Sequence, residues 1–337
     1  MTLAEVCAAV MFIGIALYAL LAGADFGAGF WDLVAGGDEG GRAQRALIEE
    51  SIAPVWEANH VWLIFVLVTL WTAFPTAFAP IMSTLYVPLT LAAVGIILRG
   101  AAFAFRKASE TLPLRRLFGA TFASSSVLTP FMLGAVVGGI ASGRVPAGEQ
   151  TGNVVRSWLN PTSILGGVLA VVTCAFLAAV YLTADAERRG HPELVAGFRQ
   201  RAMASAVVAG VVALAGVFVL HHDAPDLFHG LTHRGAPLIA LSALAGVATL
   251  VLLIRRAFAW ARLSAAVAIV AVLFGWAAGQ YPYMLEQSLR ISDAAGAQAT
   301  LVAILVTLGA GSLLLVPALA WLLVLTQRGT LAASTEH

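Results

Sequence analysis

Ile52-Ala53-Pro54-Val55-Trp56-Glu57-Ala58-Asn59-His60-Val61-Trp62-Leu63-Ile64-Phe65-Val66-Leu67-Val68 is the stretch that decides the fold. It opens with a proline, a carboxylate, an amide and an imidazole, then continues as an apolar run to Phe74. A run of that length matches the hydrocarbon thickness of a bilayer at 1.5 Å of rise per residue. Similar runs recur along the chain. Of 337 residues, 60% are hydrophobic and 11% charged, and the charged share is less than half that of soluble domains, so the sequence predicts a polytopic helical membrane protein.

Working outward from this run, spans are expected at about 5–34, 51–74, 80–105, 116–141, 160–184, 201–220, 236–254, 260–282 and 299–326. That is an all-α fold of about nine transmembrane helices, forming a single integral membrane domain over residues 1–337. The first span has no basic residues before it and is too long for a cleaved leader, so it reads as a retained helix with room to tilt or to turn near Trp31 and Asp32. Basic residues fix the expected orientation. Alternate inter-span segments hold Arg42, Arg45, Arg99, Arg106, Lys107, Arg115, Arg116, Arg188, Arg189, Arg199, Arg201, Arg255, Arg256, Arg262 and Arg328; the others hold Arg144, Arg156, Arg234 and Arg290. The positive-inside rule then places the N-terminus outside and the C-terminus in the cytoplasm. Polar stretches near 142–159, 185–200 and 221–235 are expected as loops, and no segment alternates as a strand. A net charge of +1 with dispersed basic residues speaks against nucleic-acid binding. Cys7 and Cys174 lie far apart in apolar runs and form neither a disulfide framework nor a Cys-x-x-Cys motif.

Ionisable groups within such spans are costly and mark ion paths, substrate sites or buried pairs. Asp25 is expected about 16 Å, and Glu57 about 9 Å, from the cytoplasmic side. Glu57 and His60 are three residues apart and share a helix face, so they can serve as successive proton stations, with Asn59 pointing elsewhere. Arg99 lies inside an apolar run and is placed to pair with Asp25 or Glu57. A static ion pair between helices is the competing reading of the same residues. For His60 alone, a satisfied hydrogen-bonding role outweighs an axial haem or metal ligand, because no paired ligand spacing accompanies it. Gly23 and Gly27 have the Gly-x-x-x-Gly spacing of close helix packing. Among His221, His222, Asp223, Asp226, His229 and His233, the pair His229 and His233 has helical metal-ligand spacing, but a solvated polar loop is favoured there.

Gly23-Ala24-Asp25-Phe26-Gly27-Ala28-Gly29, the Ser51 to Leu63 segment, Phe74-Pro75, Asn160-Pro161, and Tyr281-Pro282-Tyr283 ahead of Ser288-Leu289 and Asp293-Ala294 together resemble subunit II of the cytochrome bd-type quinol oxidases. The order and spacing agree over nearly the whole chain, most specifically in Ile-Ala-Pro-x-Trp-acid-x-Asn. The resemblance implies two four-helix bundles plus one peripheral helix in a bacterial cytoplasmic (inner) membrane. It implies a complex that oxidises quinol and reduces dioxygen to water, with haems b and d in subunit I, and it allows small single-helix accessory subunits. This chain would bind no haem, would scaffold subunit I, and would conduct protons from the cytoplasm; some members also hold a quinone as a structural lipid. Asp25, Glu57 and Arg99 match positions associated with that proton route. The chain departs from the family at Ala22, where an acid is frequent, and at Glu57, where Asp is frequent. The alternatives from other classes are a proton-coupled secondary transporter and a purely structural scaffold. A transporter usually shows matched broken helices in its two halves, and no clear pair is evident in the sequence.

Overall fold

The computed structural model describes the backbone of residues 1–36, 41–52, 56–108, 111–148, 151–285 and 287–327, and within these the side chains other than 52, 56–58, 107, 112, 315–316, 319–320 and 322–327. Its helices are α1 (Leu3–Leu33), α2 (Arg42–Ile52), α3 (Trp56–Ala73), α4 (Pro75–Thr84), α5 (Tyr86–Ala108), α6 (Leu112–Ala141), α7 (Pro161–Arg188), α8 (Pro192–Asp223), α9 (Pro225–His233), α10 (Ala236–Ile254) and α11 (Phe258–Gln280), followed after a short hairpin by α12 (Ile291–Ala294) and α13 (Gln298–Gln327).

The starts of these helices follow from local chemistry. At α1, the Glu5 amide donates to Thr2 Oγ1 and the Thr2 amide donates to Glu5 Oε2, a reciprocal cap for two otherwise unpaired donors. At α7, the Ser163 amide donates to Asn160 Oδ1, and Pro161 takes the first helical position, where its missing N–H costs nothing.

Seven described helices are long and apolar enough to cross a membrane, and an eighth span is obtained if the bent pair Asn59–Ala73 and Pro75–Thr84 is counted as one. The ninth expected span falls on α13, whose described apolar part, Gln298–Leu314, is shorter. α1 packs on α3, α6 and α7, and α5 on α6; α7 packs on α8, α10 on α11, and α6 against α7. α1 thus lies among α3, α6 and α7, and α7 joins α1 and α6 to α8.

Several boundaries differ from expectation. The span expected over 80–105 begins at Tyr86, because Pro75–Thr84 forms its own helix turned 119° from the preceding one. Proline at the start of α4 requires no donor, so the helix resumes after a backbone change at Phe74 (φ −133°, ψ 57°). Ala224 adopts nearly the same conformation (φ −143°, ψ 64°) before Pro225, so the second span of each half breaks at the same kind of site. The stretch 221–235 is consequently helical over most of its length instead of a loop. The stretch 185–200 also belongs mostly to α7 and α8. No turn forms at Trp31 and Asp32, which are buried residues of α1. A two-stranded antiparallel hairpin, β1 (Tyr283–Leu285) with β2 (Leu289–Arg290), pairs Tyr283 with Arg290; it is too short for alternation to reveal.

Candidate functional site

Glycine positions α1 within its bundle. A Cβ on Gly27 would stand 1.8 Å from the Cys174 carbonyl oxygen on α7, and one on Gly29 would stand 2.1 Å from Ser126 Oγ on α6. Gly23 behaves differently from the packing expected of it: its Cβ would meet Leu177 at 3.4 Å, an ordinary contact. Gly27 and Gly29, not Gly23 and Gly27, therefore bring α1 against two neighbours at once.

Between these glycines and their neighbours lies the Asp25–Arg99 pair, with both side chains 2% exposed. Arg99 Nη1 donates to Asp25 Oδ2 at 2.9 Å, and Nη2 donates to Oδ1 at 2.8 Å and to the Asp25 carbonyl at 2.9 Å. Arg99 Nε donates to Ser126 Oγ at 2.9 Å, and Ser126 in turn donates to the Phe122 carbonyl at 2.6 Å. The guanidinium also lies 5.0 Å from the Phe26 ring centroid and 4.6 Å from that of Phe122. A buried charge of this kind is tolerable because its counter-charge and most of its donors are satisfied.

Of the two partners proposed for Arg99, the structure brings it to Asp25. Asp25 lies about 12 Å of helix before the end of α1, nearer than the 16 Å expected. A second pair, missed in the sequence, stands seven residues further along both helices: Arg106 Nη1 donates to Asp32 Oδ2 at 2.8 Å. The common step of seven means that α1 and α5 run in the same direction, each pair two helical turns from the other. The signal was available, since Asp25 to Asp32 and Arg99 to Arg106 have equal spacing.

His60 is half-buried on α3, its ring centroid 6.0 Å from those of Tyr18 and Phe26 on α1. Among the described residues, neither His60 Nδ1 nor Tyr18 Oη has a hydrogen-bond partner, and both atoms are buried. Asn59 is 3% exposed, and its Nδ2 donates to the Leu21 carbonyl of α1 at 3.4 Å. The Glu57 side chain and Pro54 lie outside the described residues, so the proposed Glu57–His60 pairing rests on their spacing within α3 alone. Ala22 is 1% exposed and packs with Phe26 and Cys174.

His229 and His233 lie on α9 with ring centroids 4.0 Å apart, and His233 Nδ1 is 2.9 Å from the His229 carbonyl. Among the described residues, no group of three or more His, Cys, Asp or Glu is arranged to hold a metal ion.

The model of the family described as "Cytochrome bd terminal oxidase subunit II" matches residues 3–326. The "Cytochrome bd ubiquinol oxidase subunit 2" of Bacillus subtilis (strain 168) is 30% identical over 176 residues, covering 52% of this chain and 50% of that protein. The "Cytochrome bd-I ubiquinol oxidase subunit 2" of Escherichia coli (strain K12) is 30% identical over 221 residues, covering 63% of this chain and 56% of that protein. The chain therefore spans only about half the length of these curated relatives in the matched regions. A chain in the structure of bd oxidase from Geobacillus thermodenitrificans superimposes with a TM-score of 0.76 at 26% identity, covering 97% of this chain and 99% of that one. The transporter alternative receives no support from these matches.

Proposed function

This chain belongs to the cytochrome bd terminal oxidase subunit II family, and from that premise we propose that it serves as the haem-free subunit of a quinol:dioxygen oxidoreductase. The observation that carries the reading is the structural likeness to a bd oxidase chain over nearly the full length of both. In this assignment, quinol oxidation and the reduction of dioxygen to water take place at haems b and d of subunit I. The present chain is one integral membrane domain that braces that partner, with its N-terminus outside and its C-terminus in the cytoplasm of a bacterial inner membrane. Fifteen basic residues on one set of segments against four on the other support that orientation. Accessory single-helix subunits and a structural quinone belong to the same reading through the family likeness alone.

The second part of the proposal is a proton feed. Reduction of oxygen consumes protons, and drawing them from the cytoplasm while quinol releases its own outside generates a membrane potential without a pump. Asp25 and Glu57 are assigned as relay carboxylates, His60 as a relay or hydrogen-bond partner, and Arg99 as the cation that holds Asp25 in place. The unpartnered Nδ1 of His60 supports this role, since a transfer group needs hydrogen-bonding capacity that is not already spent.

The test is to purify the chain with its partners in mild detergent, then record a reduced-minus-oxidised visible spectrum and quinol-driven oxygen uptake. Glu57→Gln should leave the spectrum intact and lower oxygen uptake at least about tenfold, in line with the loss of a proton-transfer group. A haem-free, partnerless protein would refute the oxidase assignment. Normal uptake with full coupling in the variant would refute the relay.

A further inference from the structure

A cleft of about 470 Å³ opens between α7 and α11 at their arginine-rich ends, lined among others by Tyr181, Glu187, Arg188, Arg262, Leu263 and Ala266. A second cleft of about 260 Å³ runs between α10 and α11, is almost wholly apolar, and shares Ala266 with the first. On α11 the shared wall follows Ala259, Arg262, Ala266, Val270 and Phe274, a spacing of three and four residues that keeps one helix face continuous. Ala259 to Phe274 spans about 22 Å of helix, which matches one extended phospholipid more closely than a compact solute. The polar cleft and the apolar cleft thus adjoin at Ala266, as a groove along one face of α11.

The polar end has a built geometry. Arg188 Nη2 and Arg262 Nη1 both donate to Asp185 Oδ1, and the Arg262 guanidinium stands 4.7 Å from the Tyr181 ring centroid. One carboxylate thereby draws two guanidinium groups together and uses few of the ten N–H donors they carry. The remaining donors suit a phosphodiester, because planar guanidinium groups bind its oxygens in a fork. Charge identifies the rest of the headgroup. Arg188 and Arg262 both pair with Asp185, and Glu187 lines the cleft beside them, so the polar end carries two carboxylates for its two guanidinium groups. A lipid with net negative charge would leave an excess there; a zwitterion would not.

We propose that this groove binds a phospholipid with a primary-amine headgroup, its phosphate on Arg188 and Arg262, its ammonium on Glu187 and an acyl chain along Ala266 to Phe274. The site is separate from the Asp25–Arg99 pair, and the inference does not depend on the oxidase assignment. It places the lipid in the leaflet on the arginine-rich side of the bundle.

The assay is native mass spectrometry of the protein with its co-purifying subunits, after equilibration in micelles containing equal phosphatidylethanolamine and phosphatidylglycerol. The wild type should retain phosphatidylethanolamine over phosphatidylglycerol by about fivefold or more. Arg262→Gln should reduce the retained lipid about fivefold, and Glu187→Gln should keep a lipid while bringing the ratio of the two classes near one. Ala266→Trp, which blocks the junction of the two clefts and leaves every charge in place, should also empty the groove. Helical content and melting temperature are followed for each variant. Arg188→Gln, at a side chain 68% exposed, replaces Arg262→Gln if the latter does not fold. Equal retention of both lipids by the wild type, a preference for phosphatidylglycerol, or unchanged retention in the folded arginine and Ala266→Trp variants would overturn the proposal.

Discussion

Removing both members of the Asp25–Arg99 pair should cost clearly less than the sum of removing each alone. In Asp25→Asn, the guanidinium keeps one side-chain oxygen, the Asp25 carbonyl and Ser126 Oγ as acceptors but loses its counter-charge at a site 2% exposed. Breaking a buried ion pair in this way costs about 3–5 kcal/mol, because the surviving charge stays desolvated and unpaired. Arg99→Gln should cost a similar amount, as it strands the carboxylate. The double variant Asp25→Asn/Arg99→Gln leaves two neutral amides and no stranded charge, so its cost should fall at least about 2 kcal/mol short of the sum of the single costs. The measurement is a double-mutant cycle on unfolding in mixed micelles with rising sodium dodecyl sulfate, followed by helicity. Single costs below about 1 kcal/mol, or strict additivity, would refute the view that this pair holds α1 to α5. The same double variant distinguishes a lock from a conduit. A restored fold with normal oxygen uptake means a static pair, whereas a restored fold without uptake means that the carboxylate moves protons.

Two further substitutions test how the bundle is assembled. Gly27→Ala must push α1 away from the Cys174 backbone and should cost about 1–3 kcal/mol in the same unfolding assay. Gly23→Ala, with Leu177 at 3.4 Å, should instead be neutral or stabilise by up to about 1 kcal/mol through helix propensity; equal losses at the two positions would contradict the close approach assigned to Gly27. At the opposite end of the bundle, Asp223 accepts from Arg144 Nη2 at 2.6 Å and from the Thr162 amide at 3.0 Å, and so joins the end of α8 to the start of α7. Asp223→Asn should lower stability by about 1–2 kcal/mol, a modest amount because the Arg144 side chain is 31% exposed, and an unchanged unfolding midpoint would rule out this capping role.

Much of the fold was legible because apolar length is a direct requirement of the bilayer. α1, α6, α7, α10 and α11 lie within a few residues of their expected positions. The missed helices α4 and α9 share one physical cause. Hydropathy measures how apolar a segment is, and it does not register a backbone turn between two apolar segments. Phe74-Pro75 and Ala224-Pro225 each end one helix and start another within a polarity pattern that barely changes, so α4 was absorbed partly into a span and α9 into a loop. The proline carried the information, since a residue before proline is biased away from helical backbone.

The same reasoning bears on what the buried charges do. Arg99 was expected to choose between two carboxylates, and spacing on a single helix says nothing about which one a second helix presents. The seven-residue step shared by Asp25, Asp32, Arg99 and Arg106 resolves that choice. If Asp25 faces Arg99 on a helix running in the same direction, then Asp32 must face Arg106, and both contacts form. Two ion pairs in one register oppose sliding of α1 along α5 more strongly than either does alone, because a shift breaks both contacts at once. Gly27 and Gly29 fix the approach of α1 to α7 and α6, so the charges fix its height and the glycines its distance. A proton path that uses Asp25 therefore has to run through a carboxylate held by Arg99. That directs attention to His60 and Tyr18, whose buried polar atoms are unpartnered among the described residues.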